Sequence, residues 1–181
     1  MQQRGFTLIE LIIVIVILGI LAVTAAPKFI DIQGDARAAT LDAVKASMNS
    51  TSSLIHAKTL IKGVADLDGQ TMKVKYNGGS INAADIDYLF LGADTTSDWV
   101  ALLDLSAGEF TFGTDTAALT NLEGAVTPMT ANPVVFVYPS SYESPTATAS
   151  ATVTPGTCYA YYIESAGSNV NPVIGTITTG C

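Results

Sequence analysis

The chain has 181 residues and a formal net charge of −8, with 49% hydrophobic and 13% charged residues. That length holds one modest globular domain beside an anchor, and the composition excludes a chain disordered throughout. Met1 to Gly63 carries six basic side chains (Arg4, Lys28, Arg37, Lys45, Lys58, Lys62) against four acids, and Val64 onward carries twelve acids against Lys73 and Lys75, so the acidic C-terminal half repels phosphate backbones and no nucleic-acid partner is expected on it.

After Met1–Gly5 comes an apolar run of about 21 residues, Phe6 to Ala26, with one charge, Glu10. As a helix it matches the roughly 20 residues that span a bilayer's hydrocarbon. A carboxylate at the centre of such a span costs about 2.5–3.5 kcal/mol, so Glu10 either snorkels to an interface or has a specific partner. A secretory signal has a shorter apolar core and a small-residue cleavage site. Here Pro27 directly follows Thr24-Ala25-Ala26, and cleavage after Ala26 is not expected. Arg4 on the short side points the N-terminus to the cytoplasm, with Lys28 opposing it.

Gly5-Phe6-Thr7-Leu8-Ile9-Glu10, followed by an unbroken apolar stretch, resembles the processing motif of type IV prepilins. The segment from Phe6 through Arg37 is most similar to MSHA-type (mannose-sensitive haemagglutinin) major pilins of the type IVa class. The resemblance implies a leader peptide, residues 1–5, that a dedicated prepilin peptidase removes between Gly5 and Phe6. The same enzyme then methylates the new amine of Phe6. Gly5 suits that cut, since it has no side chain to clear. In an assembled filament the resemblance places the Phe6 amine near Glu10 of an adjacent subunit. Such a pair in a low-dielectric core works as a register device, because an unpaired carboxylate there is heavily penalised.

Gly19 and Pro27 bracket the end of the span, and proline kinks or loosens a helix. The resemblance makes Gly19 through Pro27 an extensible joint in the filament; the residues alone equally allow a plain kink. Beyond Pro27, the spacing of Leu41, Val44, Met48 and Ile55, with Ala36, Ala39, Ala43 and Ala46 close by, predicts an amphipathic helix over 27–63 packed on its own sheet. Lys62-Gly63 predicts its C-terminal stop. From Phe6 to Lys62 the helix would measure about 85 Å at 1.5 Å per residue. A domain this small cannot cover its first half, which must lie in lipid or among neighbouring subunits.

Residues 64–181 form the expected globular head. Met72 to Tyr76 alternates like a strand and meets a turn at Asn77-Gly78-Gly79. Asn82-Ala83-Ala84-Asp85 can start a short helix through Leu91, and Trp99 to Leu105 is apolar with no decisive period. Glu109–Phe112, Val134–Tyr138, Cys158–Ile163 and Val173–Thr178 read as strands. Strands without intervening helices predict an antiparallel sheet with one face on the helix and the other exposed. The fold class is therefore α+β: a long N-terminal helix packed on an antiparallel head domain. Ser144 to Thr157 is rich in Ser, Thr, Ala and Pro and reads as a surface loop, with O-glycosylation as the alternative.

The two cysteines, Cys158 and Cys181, stand 23 apart. They are two free thiols if the domain is cytosolic. With the domain anchored outside the cytoplasm they form a disulfide that contributes roughly 3 kcal/mol. By the resemblance, the bounded region 158–181 and the αβ-loop after the helix belong to the pilin head, with Tyr159 to Gly180 as the exposed adhesive face.

No catalytic residue or cofactor is expected. The single histidine, His56, reads as a packing or surface residue, and no nucleophile elbow, phosphate loop or zinc spacing occurs. Asp66-Leu67-Asp68-Gly69 and Asp85-Ile86-Asp87 could contribute to a calcium site, but the full loop pattern is absent, so surface acids are the default and no metal is expected. With these absences, the resemblance implies the major structural subunit of a type IV pilus that mediates adhesion to surfaces or host cells and biofilm-type attachment. Its expected partners are its own copies, the prepilin peptidase, the inner-membrane assembly machinery and, before assembly, the membrane. The precursor would sit in a bacterial inner membrane with a periplasmic head. The rivals are a type II secretion pseudopilin or minor pilin, and a membrane-anchored periplasmic enzyme or binding protein; the terminal cysteine pair disfavours the pseudopilin.

Overall fold

The computed structural model describes residues 5–76, 79–93, 95–105, 108–115, 133–142 and 158–181. The chain divides into two compact units, residues 1–37 and 38–181. Helix α1 (Leu8–Lys62) contributes to both. It ends where expected. Gly63 takes φ +65, its N–H donates to Leu60 O (3.3 Å), and Val64 N–H donates to Thr59 O (3.1 Å), which together form a Schellman cap.

In the second unit, Leu41, Val44, Met48 and Ile55 of α1 are all buried in one core. Ser52 and Thr59 continue this stripe at helical spacing and are buried too. Ala36, Ala39, Ala43 and Ala46 lie outside it and are exposed. Most of the rest of the core comes from two antiparallel sheets rather than the single one expected. The first joins β1 (Gln70–Tyr76), β2 (Gly79–Asp87) and β3 (Phe90–Leu91) in that order; the second runs β4 (Phe110–Asp115), β5 (Val134–Pro139), β6 (Tyr159–Ile163) and β7 (Val173–Ile177). On β1, Met72 and Val74 point inward and Lys73 and Lys75 outward, the period-2 alternation of a half-buried strand.

The expected helix from Asn82 to Leu91 is instead a hairpin of β2 and β3, with Asp87 opposite Phe90. Tyr88 and Leu89 make the turn at φ 49 and 72. Turns of this kind normally recruit Asn or Gly, so Tyr-Leu gives no turn signal. Local bonds hold it in place. Leu89 O accepts from Thr59 Oγ1 (2.9 Å), Tyr88 N–H donates to Leu67 O (3.1 Å), and the His56 ring stacks on Phe90 with centroids 4.2 Å apart. Leu89 O also lies 3.3 Å from His56 Nδ1, which therefore carries the proton. His56 is thus a packing residue.

The apolar stretch around Trp99 is a short helix, α2 (Ser97–Leu103). Trp99 is fully buried and donates from Nε1 to Gly92 O at 2.9 Å; beside it, Tyr162 Oη donates to Leu91 O at 2.6 Å. These two bonds satisfy the polar atoms of two large buried rings. The expected exposed sheet face is also corrected, since β5 and β6 are buried on both sides. Val135, Val137, Ala160 and Tyr162 face the main core, whereas Phe136, Tyr138, Tyr159 and Tyr161 form a second cluster. Gly175 of β7 faces Tyr161, and a Cβ there would run into the tyrosine ring.

Cys158 and Cys181 form a disulfide with Cα atoms 4.9 Å apart. It closes the segment that contains β6 and β7, and Tyr142 Oη donates to the Cys181 carbonyl (3.1 Å). Ser144–Thr157 and the turn residues 77–78 lie outside the described residues.

Candidate assembly site on the N-terminal helix

Leu8 to Ala25 is long and apolar enough to cross a membrane, and none of it is buried within the chain. Ile9, Ile12, Val16, Leu18 and Leu21 are each about half exposed or more, so the helix is apolar around its whole circumference. A helix of that kind is stable only inside lipid or among other apolar helices.

Glu10 has a local partner. Its Oε2 accepts from the Thr7 backbone N–H (2.9 Å) and from Thr7 Oγ1 (2.7 Å), while Glu10 N–H lies 3.4 Å from Thr7 Oγ1. This is a capping box, in which residues three apart satisfy each other's free N–H groups at a helix start. The Thr7-x-x-Glu10 spacing carries that signal in the sequence. In a single chain the carboxylate therefore has donors already.

Phe6 is 93% exposed. A Cβ at Gly5 or at Gly19 would meet nothing within 4 Å, so no contact inside the chain demands either glycine. Pro27 lies inside α1 without ending it. Lacking an N–H, it cannot bond the Val23 carbonyl. One turn earlier, Thr24 Oγ1 donates back to Leu21 O (3.0 Å), a bond that often bends helices. The helix is thus continuous through Gly19 and Pro27 but short of one backbone bond.

The acidic pairs are brought together, and not all of them are surface groups. Asp87 is 1% exposed and Asp98 is also buried. Asp87 Oδ1 accepts from Gly69 N–H (2.7 Å), and Asp98 Oδ2 accepts from Asp85 N–H (2.9 Å). Asp87 Oδ2 and Asp66 Oδ1 are buried without a hydrogen-bond partner. Burial, above all, and the Asp68 carboxyl beside it push Asp87 up to about 8, with Asp85 and Glu164 adding repulsion and the Gly69 N–H opposing. Asp87 therefore holds a proton far more readily than an ordinary carboxylate. Among the described residues no three His, Cys, Asp or Glu side chains stand together as metal ligands.

Residues 1–26 match the family described as "Prokaryotic N-terminal methylation motif". The "Type IV narrow pilus major component PilA5" of Thermus thermophilus is 44% identical over 68 residues, covering 38% of this chain and 57% of the relative. The "Fimbrial protein EcpB" of Eikenella corrodens is 31% identical over 132 residues, covering 69% of this chain and 77% of the relative. No solved structure matches significantly.

Proposed function

We propose that this chain, which belongs to the type IV pilin family, is the major subunit of an extracellular filament, held in the membrane by residues 6–26 before assembly. The family is one of structural proteins rather than enzymes. The observation that carries the reading is the all-round apolar segment beginning two residues after Phe6, with one acid inside it and the matching methylation motif over the same residues.

Processing by the prepilin peptidase cuts the Gly5–Phe6 bond on the cytoplasmic side, leaving a free, N-methylated Phe6 amine and a periplasmic head. That cation then takes up Glu10 of a neighbouring subunit, and the carboxylate exchanges its Thr7 donors for a stronger charged one. One axial stagger satisfies the pair, so it sets the register. The helix around Gly19 to Pro27, one backbone bond short, yields first when the filament is stretched. The similarity of residues 6–37 supports the MSHA-type subgroup. Tyr159–Ile163 of the disulfide-bounded region are buried, so the surface for attachment and biofilm formation is supplied by its exposed part, residues 166–173.

Mass spectrometry of the protein sheared from its native cell surface tests this reading. The mature chain should begin at N-methyl-Phe6 and weigh two hydrogens less than the reduced chain. Surface filaments made of chains retaining Met1 would overturn it.

A further inference from the structure

Four of the chain's eight basic residues come together on the second unit, where Lys58 and Lys62 reach the backbone of Lys75 and Lys73. Lys58 and Lys62 stand one turn apart near the end of α1. Lys58 Nζ donates to the Lys75 carbonyl (3.4 Å) and Lys62 Nζ to the Lys73 carbonyl (3.5 Å). Lys73 and Lys75 themselves point outward from β1, which is an edge strand. They are the two basic residues after Gly63, in a stretch that carries twelve acids.

Blunting a free strand edge with lysine is a common protective device, and it accounts for Lys58 and Lys62 on the β1 carbonyls. It does not account for Lys73 and Lys75, whose side chains stand on the solvent face of the same strand. Nor does it account for the apolar neighbours on α1. Leu54 is 60% exposed and Ile61 85% exposed; seven residues apart, they share a face with Lys58 between them. An apolar centre with a charged rim is the make-up of a protein contact. A long polyanion would be repelled by the rest of a chain with net charge −8.

We propose that the patch of Lys58, Lys62, Lys73 and Lys75 around Leu54 and Ile61 receives an acidic face of a second copy of this chain, within the filament read above. Identical subunits that keep sixteen acids and, once the leader with Arg4 is removed, seven basic side chains repel one another wherever they pack. A concentrated group of four positive charges set against a neighbour's carboxylates offsets that repulsion and fixes orientation. The inference rests on the pilin reading and deepens it by naming a contact between heads.

Native filaments treated with a zero-length carbodiimide, which condenses an amine with a carboxylate, should yield a covalent dimer in which Lys73 or Lys75 is joined to an Asp or Glu. In cells, the double variant Lys73→Glu/Lys75→Glu should give roughly tenfold fewer sheared filaments, and Lys73→Arg/Lys75→Arg should restore them. Wild-type filaments should also loosen as NaCl rises from about 0.05 to 0.5 M, where screening shortens to a few ångströms. The variant's disulfide and head stability should match wild type, since both positions face solvent. Normal filament yield in the charge-reversed strain would overturn the contact, with or without loss of binding to a sulfated polysaccharide. Absence of wild-type filaments would instead overturn the pilin reading itself.

Discussion

Asp87 illustrates how far single residues can be read. In sequence it is one member of an Asp-x-Asp pair, indistinguishable from a solvated surface acid. Its meaning depends on Gly69, eighteen residues earlier, donating to one oxygen, and on burial, the Asp68 carboxyl and the charges of Asp85 and Glu164, which raise its value. Because its value in the folded state is raised to about 8 from 3.8, the folded chain binds a proton through that window and the unfolded chain does not. The stability this supplies is fully present below the unfolded value and is lost as pH rises toward 8. The melting temperature of the full chain in detergent should therefore fall between pH 4 and pH 8. Asp87→Asn, which keeps the acceptor for Gly69, should flatten that slope and melt higher than wild type at pH 8. An unchanged pH slope in the variant would show that Asp87 does not hold the proton. Gly92 belongs to the same cluster, since a Cβ there would run into the Asp85 and Asp87 carboxylates.

At the scale of elements, legibility followed the strength of periodic patterning. The α1 stripe and its Lys62-Gly63 end, the alternation of β1, and the positions of β4 to β7 are all visible in the order of apolar residues, because each element has one dominant face or a continuous apolar run. The β2–β3 hairpin escaped because its turn uses Tyr88 and Leu89 at positive φ, where no local propensity announces it and contacts from α1 hold it. The two-sided burial of β5 and β6 escaped for a related reason: an unbroken run such as Val134–Tyr138 does not say what lies on its second face. The α1–hairpin clamp can be probed directly. Thr59 is fully buried, and its hydroxyl, with one proton to give, lies within hydrogen-bond reach of both His56 O (2.7 Å) and Leu89 O (2.9 Å). Thr59→Val keeps the shape and removes the donor, so it should cost about 1 kcal/mol and lower the melting temperature by about 3 °C. An unchanged melting curve would mean that the His56 Nδ1–H bond and the ring stack hold the turn by themselves.

For the whole molecule the decisive question is what Glu10 does once chains meet. The capping box with Thr7 gives it a role within one subunit, and the register pair proposed with Phe6 would give it a second role between subunits. The two roles make different demands. Capping needs an acceptor three residues after Thr7, which a neutral glutamine also supplies. Pairing with an ammonium in an apolar filament core needs the negative charge, since a neutral amide leaves the cation uncompensated there. Thr7→Val removes the hydroxyl and leaves the charge, and cells carrying it should assemble filaments at close to wild-type numbers by electron microscopy of sheared material. Glu10→Gln keeps the cap and removes the charge, and should leave roughly tenfold fewer, as a loss of about 1.4 kcal/mol per subunit contact would give. Precursor levels in the membrane should be unaffected in both strains, because each variant still presents the same apolar span to lipid. Normal filaments from Glu10→Gln together with few from Thr7→Val would reduce Glu10 to a helix cap and leave the subunit register to other contacts.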